Sequence, residues 1–487
     1  MKLKRKFSVT LAIVTLCGLS AAAQTAGAQD KAAAIDKVLS TYSANGDFNG
    51  SALVAWQGKV IFEKGYGMAN FEWKQPNAPD TKFRLGSITK QFTSMLVMQQ
   101  VAQGKIKLDA TISDYLPYYR HDTGSRVTIQ QLLTHTSGIP SYTESPEFRE
   151  FQIRPYAVED FVKKYCSGDL QFEPGSKFHY DNSGYFLLGA ILEKVTGQPY
   201  EMLLQKRIFD PLGMNDSGYD HYTTLIDRRA GAYQRTPTGT VHNARYLDMS
   251  IPYAAGSLYS TVEDLYKWDQ ALYTDKLLSA DLREKMFTPY KDKYAFGWFV
   301  ETAASGKPGA GGPEIAHEGG INGFHTIIDR YPREKVLIVL LSNASDGPLE
   351  EMSNQVARVL YDMPADPIKR AIISVIGPIS ASQGGQAAAA KYRELRANSR
   401  DHYRWDEGDI NVLGYELLGT GRTKDAIEIF KLNVETYPES ANTYDSLAEA
   451  YMNDGQKELA ITNYRKSVEL NPKNEGGIEA LKKLEGK

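Results

Sequence analysis

The chain has 487 residues, of which 42% are hydrophobic and 24% are charged, the composition of an ordinary globular protein of two or three domains. Its formal net charge at pH 7 is −3. This slightly acidic balance argues against nucleic acid as a partner.

The first 28 residues have the pattern of a secretory signal peptide. Four basic residues lie within positions 2–6, an apolar stretch covers residues 9–23, and small residues at 26–28 offer a cleavage site. The apolar stretch is short for a transmembrane helix. We therefore predict that the segment is cleaved, that no stable membrane span remains, and that the protein is periplasmic or secreted. An uncleaved anchor is the alternative.

The number of cysteines limits the disulfides and metal sites that the chain can form. The chain has two cysteines, and cleavage of the signal peptide would remove Cys17 and leave Cys166 alone. A single cysteine forms neither an intramolecular disulfide nor a cysteine metal cluster. A protein of this kind must depend on its hydrophobic core for stability, which its length permits.

Strand signals lie at both ends of the region from residue 29 to residue 363, and helical signals lie between them. Strand-like runs at 51–55 and 59–64, on either side of Gln57-Gly58, predict a hairpin, and the stretch from 141 to 290 has mostly helical periodicity. This order predicts an α+β domain in which helices flank one antiparallel sheet built from both ends, with a helical insertion. A doubly wound parallel sheet is rejected because alternating βαβ units are absent. The late strands are predicted at 295–300, 313–317, 324–331 and 336–342, and a helix follows at 349–361.

The residue pattern of the chain changes after this domain. Residues 364–385 are predicted to be a linker, and residues 386–487 an all-α repeat domain. The segment 441–474 matches the tetratricopeptide consensus at eight positions, and the same residue classes recur 34 residues earlier, at 407–440. Such repeats bind a protein partner on a concave face. Padding of the first domain, or self-association, is the alternative.

The main chemical signal is Ser87-Ile88-Thr89-Lys90, the one Ser-x-x-Lys sequence in the chain. Residues at i and i+3 share a helix face, so the Ser87 hydroxyl and the Lys90 amine can meet. Gly86-Ser87 would begin the helix, where unpaired N–H groups and the positive end of the dipole favour an anion. A serine beside an amine that accepts its proton is an activated nucleophile. A capping serine followed by a solvated lysine is the alternative.

A second motif, Tyr180-Asp181-Asn182, offers a phenol and an amide two residues apart. A phenol near the Lys90 ammonium would ionise readily, and Tyr180 would then act as a general base. Asn182 would hold a substrate amide. The alternative is a turn tyrosine with a capping asparagine, and Tyr451-Met452-Asn453 in the repeats matches the same pattern.

A third motif, His317-Glu318-Gly319-Gly320, lies at the end of a late strand. His317 would form a hydrogen bond at the site, and Gly319 and Gly320 would permit a ligand to approach the backbone closely. A backbone N–H of this segment would form an oxyanion hole with the N–H of Ser87. A surface histidine before a turn is the alternative.

In this order, Ser-x-x-Lys, Tyr-x-Asn and His-x-Gly resemble the class C β-lactamase and D-alanyl-D-alanine carboxypeptidase family of serine hydrolases. The resemblance covers roughly residues 30–361 and includes the stretches 83–90, 132–138 and 256–261, which are similar to family signatures. It implies a β-lactamase/transpeptidase-like fold and a penicillin-binding-like serine hydrolase without a cofactor.

The resemblance also implies a role for each motif residue. Ser87 would form an acyl-enzyme, Lys90 and Tyr180 would move the protons, and Asn182 would orient the substrate. His317 stands where the family's β-lactamases carry the lysine of Lys-Thr-Gly, and a neutral histidine is a weaker anchor for an anion. This departure is similar to esterase-like and D-amino-acid-peptide-hydrolysing members. We therefore expect a carboxylic ester or D-peptide as substrate, ahead of a β-lactam.

Other functional classes fit the sequence less well. A catalytically idle receptor or scaffold acting through the repeats would not need the set of Ser87, Lys90 and Tyr180. No Gly-x-Ser-x-Gly sequence is present, and the histidines form no recognised metal-ligand spacing such as His-Glu-x-x-His, so we predict no metal site. His135 and His179 are expected to have structural roles near the signature stretches.

Overall fold

The computed structural model describes the backbone of residues 8–344 and 347–486, with side chains from residue 27 onwards within those ranges. The first seven residues of the predicted signal peptide lie outside the described residues. The chain divides into two compact units. One unit extends to Tyr233 and resumes over Asn243–Ala365, and the other comprises Gln234–His242 and the chain from Asp366 onwards.

Strands occur at both ends of the first unit and also, in short pieces, in its middle. The region 141–290 is mainly helical, as predicted, and contains in addition short strands of two or three residues. The strands up to residue 342 are β1 (Gly50–Trp56), β2 (Lys59–Tyr66), β3 (Met68–Asn70), β4 (Gln75–Pro76), β5 (Phe83–Arg84), β6 (Gly218–Tyr219), β7 (Tyr233–Arg235), β8 (Val241–Asn243), β9 (Leu258–Ser260), β10 (Phe299–Thr302), β11 (Pro313–Ile321), β12 (Phe324–Tyr331) and β13 (Val336–Ser342). Of these, β7 and β8 lie mostly within the segment Gln234–His242 of the second unit.

Six of these strands form one antiparallel sheet in the order β10-β11-β12-β13-β1-β2. Gly50 of β1 lies opposite Ser342 of β13, so strands from the two ends of the unit are neighbours at the centre of the sheet. The predicted antiparallel sheet built from both ends is therefore confirmed. β12 and β13 have the predicted bounds: β13 is an almost continuous apolar run, and β12 is buried along nearly its whole length.

The edge strand β10 begins four residues later than predicted. Ala295 donates its backbone N–H to the carbonyl of Trp298 at 2.7 Å, and Gly297 between them has a φ of +80°. The segment is therefore a tight turn, which glycine allows without steric cost. A Cβ at Gly297 would lie 2.8 Å from the backbone oxygen of Lys90, so this turn also packs against the segment that carries the predicted nucleophile.

Helices cover both faces of the sheet. On β12, Asp329 accepts a hydrogen bond from Ser353 of the helix Leu349–Leu360 (α14), and the next residue, Arg330, forms an ion pair with Asp269 of the helix Val262–Ala271 (α12). Since neighbouring strand residues point to opposite faces, α14 and α12 lie on opposite sides of the sheet. The helices of the first unit are α1 (Ser8–Asn45), α2 (Thr89–Ala102), α3 (Ile112–Tyr115), α4 (His121–Gly124), α5 (Ile129–Leu133), α6 (Phe148–Phe151), α7 (Val158–Tyr165), α8 (Asn182–Thr196), α9 (Tyr200–Leu204), α10 (Asp210–Leu212), α11 (Tyr253–Gly256), α12 (Val262–Ala271), α13 (Ala280–Met286) and α14 (Leu349–Leu360).

The second unit has its own core, formed by antiparallel helix pairs. Ile410 and Phe430 in the first repeat, and Ala448 and Tyr464 in the second, are buried at the positions that the repeat consensus assigns to packing. Its elements are β14 (Arg370–Ala371), α15 (Ile373–Gln383), α16 (Gly385–Asn398), β15 (Tyr403–Arg404), α17 (Glu407–Gly419), α18 (Thr423–Thr436), α19 (Ala441–Asn453), α20 (Lys457–Leu470) and α21 (Glu475–Glu485).

Most of the segment predicted as a linker, 364–385, belongs to this core. Ile372 and Ile376 are fully buried within the second unit, and α15 takes up half of the segment. The helix forms because burial of these apolar side chains stabilises it. The Gly and Pro residues in the segment disfavour a helix, so the sequence pattern alone predicted a linker. No helix in the described part of the chain combines the length and the apolar character that a membrane crossing requires.

Candidate active site

The Ser-x-x-Lys motif lies at the start of α2, where a 3-10 turn over Gly86–Ile88 leads into the helix. Gly86 has a φ of +54°, which a side chain would make costly. Every residue of α2 from Thr89 to Gln100 is buried. A helix enclosed on all sides holds its first turn in a fixed position, and so fixes Ser87 relative to Lys90.

The Lys90 ammonium has three hydrogen-bond partners, one for each of its protons. Its Nζ atom lies 3.0 Å from the Ser87 Oγ, 2.9 Å from the Asn182 Oδ1 and 2.9 Å from the carbonyl oxygen of Ala255. Asn182 is the first residue of α8, and Ala255 lies in α11. Three segments that are distant in sequence therefore meet at one amine.

Burial makes this amine easy to deprotonate. Lys90 has no exposed surface, and the loss of hydration lowers the pKa of its amine to about 7, although the nearby Asp181 carboxylate opposes the change. A neutral amine keeps two N–H donors, which suit the acceptor oxygens of Asn182 and Ala255. Its lone pair then faces the one partner that can donate a proton, the Ser87 hydroxyl. The neighbours of Lys90 thus direct a general base at Ser87.

Tyr180 lies over the same amine, but its protonation differs from the expectation. The Lys90 Nζ is 4.9 Å from the centre of the Tyr180 ring. Burial raises the pKa of the Tyr180 phenol well above its usual range, so the ready ionisation predicted from the nearness of Lys90 is wrong. The nearby Ser87 hydroxyl opposes this rise in pKa, although the two hydroxyls do not have the geometry of a hydrogen bond. The Tyr180 hydroxyl has no hydrogen-bond partner among the described residues.

His135 fixes the backbone around Tyr180. Its Nδ1 accepts the backbone N–H of Asp181 at 3.1 Å, and its carbonyl accepts that of His179 at 2.8 Å. Its ring lies 4.2 Å from the Tyr180 ring, and its φ of +53° is unusual for a residue with a side chain. Asp181 in turn caps α8 by accepting the N–H of Gly184. The structural role predicted for His135 therefore consists in holding the Tyr180-Asp181-Asn182 segment.

His317 projects from β11 into the aromatic cluster around Tyr180. Its Nδ1 lies 2.6 Å from the carbonyl oxygen of Glu318, and its Nε2 lies 3.0 Å from the hydroxyl of Tyr294. A neutral ring satisfies both contacts by donating from Nδ1 and accepting at Nε2. Burial, aided by the charge of Lys90, lowers the pKa of His317 to about 3, so the ring is neutral throughout the physiological range.

The two glycines of the third motif meet different surroundings. A Cβ at Gly319 would lie 1.9 Å from the carbonyl oxygen of Leu85, whereas one at Gly320 would meet nothing within 4 Å. The backbone of Gly320 lies beside Gly86, one residue before Ser87. Gly319 therefore allows the strand and the nucleophile segment to pack together, and Gly320 faces open space.

Ser87 lies between two cavities. One has a volume of about 700 Å³ and is also lined by Tyr180, His317 and Gly320. The other has a volume of about 280 Å³ and is also lined by Asn182 and Gly320. A substrate whose scissile bond lies at Ser87 can therefore place its acyl group in one cavity and its leaving group in the other.

All seven predicted site residues lie around Ser87. They are Ser87, Lys90, Tyr180, Asn182, His317, Gly319 and Gly320. The sequence did not identify two further groups, the carbonyl of Ala255 and the hydroxyl of Tyr294. A backbone carbonyl carries no residue-type signal, and Tyr294 shares no motif with His317. Among the described residues, no group of three or more His, Cys, Asp or Glu side chains is placed to hold a metal ion.

Comparison with known proteins identifies both parts of the chain. Residues 35–361 match the β-lactamase family, and residues 441–474 match the tetratricopeptide repeat. PbpX of Bacillus subtilis strain 168, which is named as a penicillin-binding protein, is 30% identical over 325 residues, or 66% of this chain and 78% of PbpX. The repeat match indicates that the second unit takes part in protein interaction.

Two solved structures resemble the first unit. A penicillin binding protein from Bacillus halodurans has a TM-score of 0.57 and 26% sequence identity, covering 67% of this chain and 98% of its own. D-amino acid amidase from Ochrobactrum anthropi SV3, complexed with L-phenylalanine amide, has a TM-score of 0.60 and 25% identity, covering 68% and 99%. These likenesses confirm the predicted β-lactamase/transpeptidase-like fold.

The two glycines provide a matched pair of variants. Gly319→Ala should lower the free energy of unfolding by about 1–3 kcal/mol, because its methyl group would overlap the carbonyl of Leu85. Gly320→Ala should change it by less than about 0.5 kcal/mol, since the space there is open. Urea denaturation of both proteins measures the difference, and equal midpoints would contradict the packing described here.

Proposed function

The chain belongs to the β-lactamase family of serine hydrolases, and we propose that it cleaves an ester or amide bond through an acyl-enzyme on Ser87. The observation that carries this proposal is the surroundings of Lys90. Its three neighbours leave the lone pair of the neutral amine directed at the Ser87 hydroxyl, at a distance of 3.0 Å. An amine with a pKa of about 7 is suited to act as a base at neutral pH.

In the acylation step, Lys90 takes the proton of Ser87 while Oγ forms a bond to the carbonyl carbon of the substrate. The negative charge on the substrate oxygen is accepted by the backbone N–H groups of Ser87 and Gly320, which flank the gap between the two cavities. The bond to the leaving group then breaks, and a proton must reach the departing nitrogen or oxygen. Water later releases the acyl group by the same proton route.

Tyr180 acts in this scheme as a neutral phenol. Its hydroxyl is buried, lines the larger cavity and is free of hydrogen bonds to described residues, so it can accept a proton from Lys90 and donate its own to the leaving group. A phenol whose pKa is raised by burial does not remain ionised after such a transfer. Lys90, rather than Tyr180, is therefore the base that activates Ser87.

We propose D-amino-acid amides, D-peptides and carboxylic esters as substrates, with β-lactams as weaker ones. His317 is neutral and its two nitrogens are already engaged by Glu318 and Tyr294, so it offers no positive charge to the carboxylate of a β-lactam. The likeness to a D-amino acid amidase supports the amide substrate.

Replacement of the nucleophile tests this proposal directly. Ser87→Ala should lower kcat for D-phenylalanine amide and for p-nitrophenyl acetate by about 10³-fold or more, because the acyl-enzyme cannot form. Intact-mass spectrometry should detect an acyl adduct on the wild type during turnover and none on Ser87→Ala. Ser125→Ala, at an exposed position, is the matched control and should keep full activity. Equal turnover by Ser87→Ala and the wild type would exclude Ser87 as the nucleophile.

The pH dependence of kcat/KM tests the role of Lys90. The active form is the neutral amine, so the rate should rise with pH through a single limb near pH 7 and be lost below it. His317 and Tyr180 should add no limb between pH 5 and 9, since their pKa values lie below and above that range. Lys90→Arg keeps the charge but cannot lose a proton, and should be inactive at every pH. A limb centred near the pKa of free lysine would contradict this assignment.

We also propose that the mature protein is exported to the periplasm or beyond, as the pattern of residues 1–28 predicts. The mature protein would then begin at Gln29 and carry 52 basic against 59 acidic side chains. N-terminal sequencing of the protein from a cell that secretes it should give Gln29 as the first residue. Recovery of a chain that begins at Met1, in the cytoplasmic fraction, would refute export.

A further inference from the structure

The larger cavity at Ser87 continues around the edge of the sheet to the face that α14 covers. β10 pairs with β11 only as far as Ala316, which leaves the edge of β11 uncovered from His317 onwards. His317 projects to one face of the sheet, whereas Glu314 and Glu318 project to the other, yet all three line this one cavity of about 700 Å³. The cavity is therefore larger than the chemistry at Ser87 alone requires.

The part of the cavity on the α14 face is strongly acidic. Lys307 is the one lysine or arginine that lines the cavity among the described residues, and it lies beyond ion-pair distance of the carboxylates there, although its charge acts on Glu314. Burial raises the pKa of the Glu314 carboxyl, a hydrogen bond from Tyr331 opposes this change, and the neighbouring carboxylates of Glu301 and Glu350 raise the pKa further. The lining carboxylates are those of Glu301, Glu314, Glu318, Asp329 and Glu350. Glu301 is paired with Lys293 and Glu318 lies 3.7 Å from His325, whereas Glu314, Asp329 and Glu350 have no ion pair among the described residues. Burial, and then the charge of Glu314, raise the pKa of Asp329 to about 7.

A second observation at the same place points to a ligand. Asp329 is only 4% exposed, and its Oδ2 accepts hydrogen bonds from Ser353 at 2.9 Å and Tyr331 at 3.3 Å. Its Oδ1 has no hydrogen-bond partner among the described residues, and neither does the buried Oδ1 of Asn354 on α14. Buried acceptors without a donor are costly and uncommon. Two of them, on adjacent elements in one cavity, indicate a site for a donor that carries several N–H groups.

We propose that this acidic end of the cavity binds an ammonium or guanidinium group that the substrate carries on an apolar arm. This identification of the substrate rests on the proposed function. Ala316 lies between Glu314 and Glu318 on β11, with Phe299 of β10 opposite it, and Ile327 of β12 lies opposite Glu318, so methylene groups would pack against these side chains. An organic cation offers N–H donors in several directions, which suits acceptors on separate strands and a helix.

The binding test uses Ser87→Ala protein, in which no substrate is consumed. D-arginine amide and D-citrulline amide have the same shape, but a neutral urea replaces the guanidinium in the second. Isothermal titration calorimetry should show that the arginine compound binds about tenfold more tightly or better, as expected for charge-assisted hydrogen bonds. Adding Asp329→Asn or Glu314→Gln should abolish most of this preference. Glu284→Gln, an exposed charge change in α13, is the control and should preserve it.

The outcomes separate this inference from the proposed function. Equal binding of the two amides to Ser87→Ala protein, or a preference that survives both Asp329→Asn and Glu314→Gln, would overturn the cation site. Glu314→Gln keeps the test decisive should Asp329→Asn fail to fold. Wild-type kcat/KM should show the same preference for D-arginine amide. A binding preference in a protein that hydrolyses neither amide would instead overturn the proposed function and leave the site in place.

Discussion

The enclosure of one lysine is the constraint on which the rest of the site depends. An amine with no exposed surface is a usable base only if its neighbours accept hydrogen bonds from its two N–H groups and leave its lone pair free. Asn182 and Ala255 supply the acceptors from α8 and α11, and Ser87 occupies the remaining direction from the start of α2. The packing of these three helices therefore decides both the pKa of Lys90 and the direction in which it takes a proton.

The same dry environment determines the protonation of the neighbouring groups. Tyr180, His135, Tyr294 and His317 form a buried aromatic cluster beside Lys90, with ring centres 4.2 to 6.2 Å apart in successive pairs. In low dielectric each group adopts its uncharged form, so the phenols keep their protons and the imidazoles lose theirs. The consequence is that these four rings stay uncharged at neutral pH, and Lys90 is the group among them that titrates there.

The short pairing of β10 with β11 determines which surfaces a substrate can reach. Because β10 ends its pairing at Ala316, the turn that carries Ser87 can pack against the free edge of β11, where Gly319 leaves room for the carbonyl of Leu85. The same opening joins the site to the acidic face beneath α14. One shortened edge strand thus gives Ser87 its position and gives the substrate a second face of the sheet to contact.

The sequence by itself determined the features that depend on local spacing. The i, i+3 relation of Ser87 and Lys90, the apolar run of β13, and the 34-residue repeat are properties of short segments, and each predicted its structure. The tertiary structure decided what depends on desolvation and on distant backbone. The carbonyl of Ala255 has no residue-type signal, and Tyr180 and His317 owe their protonation to groups packed around them. The helix within 364–385 forms because the second core buries Ile372 and Ile376. Burial is a property of the whole fold, and a short sequence pattern does not contain it.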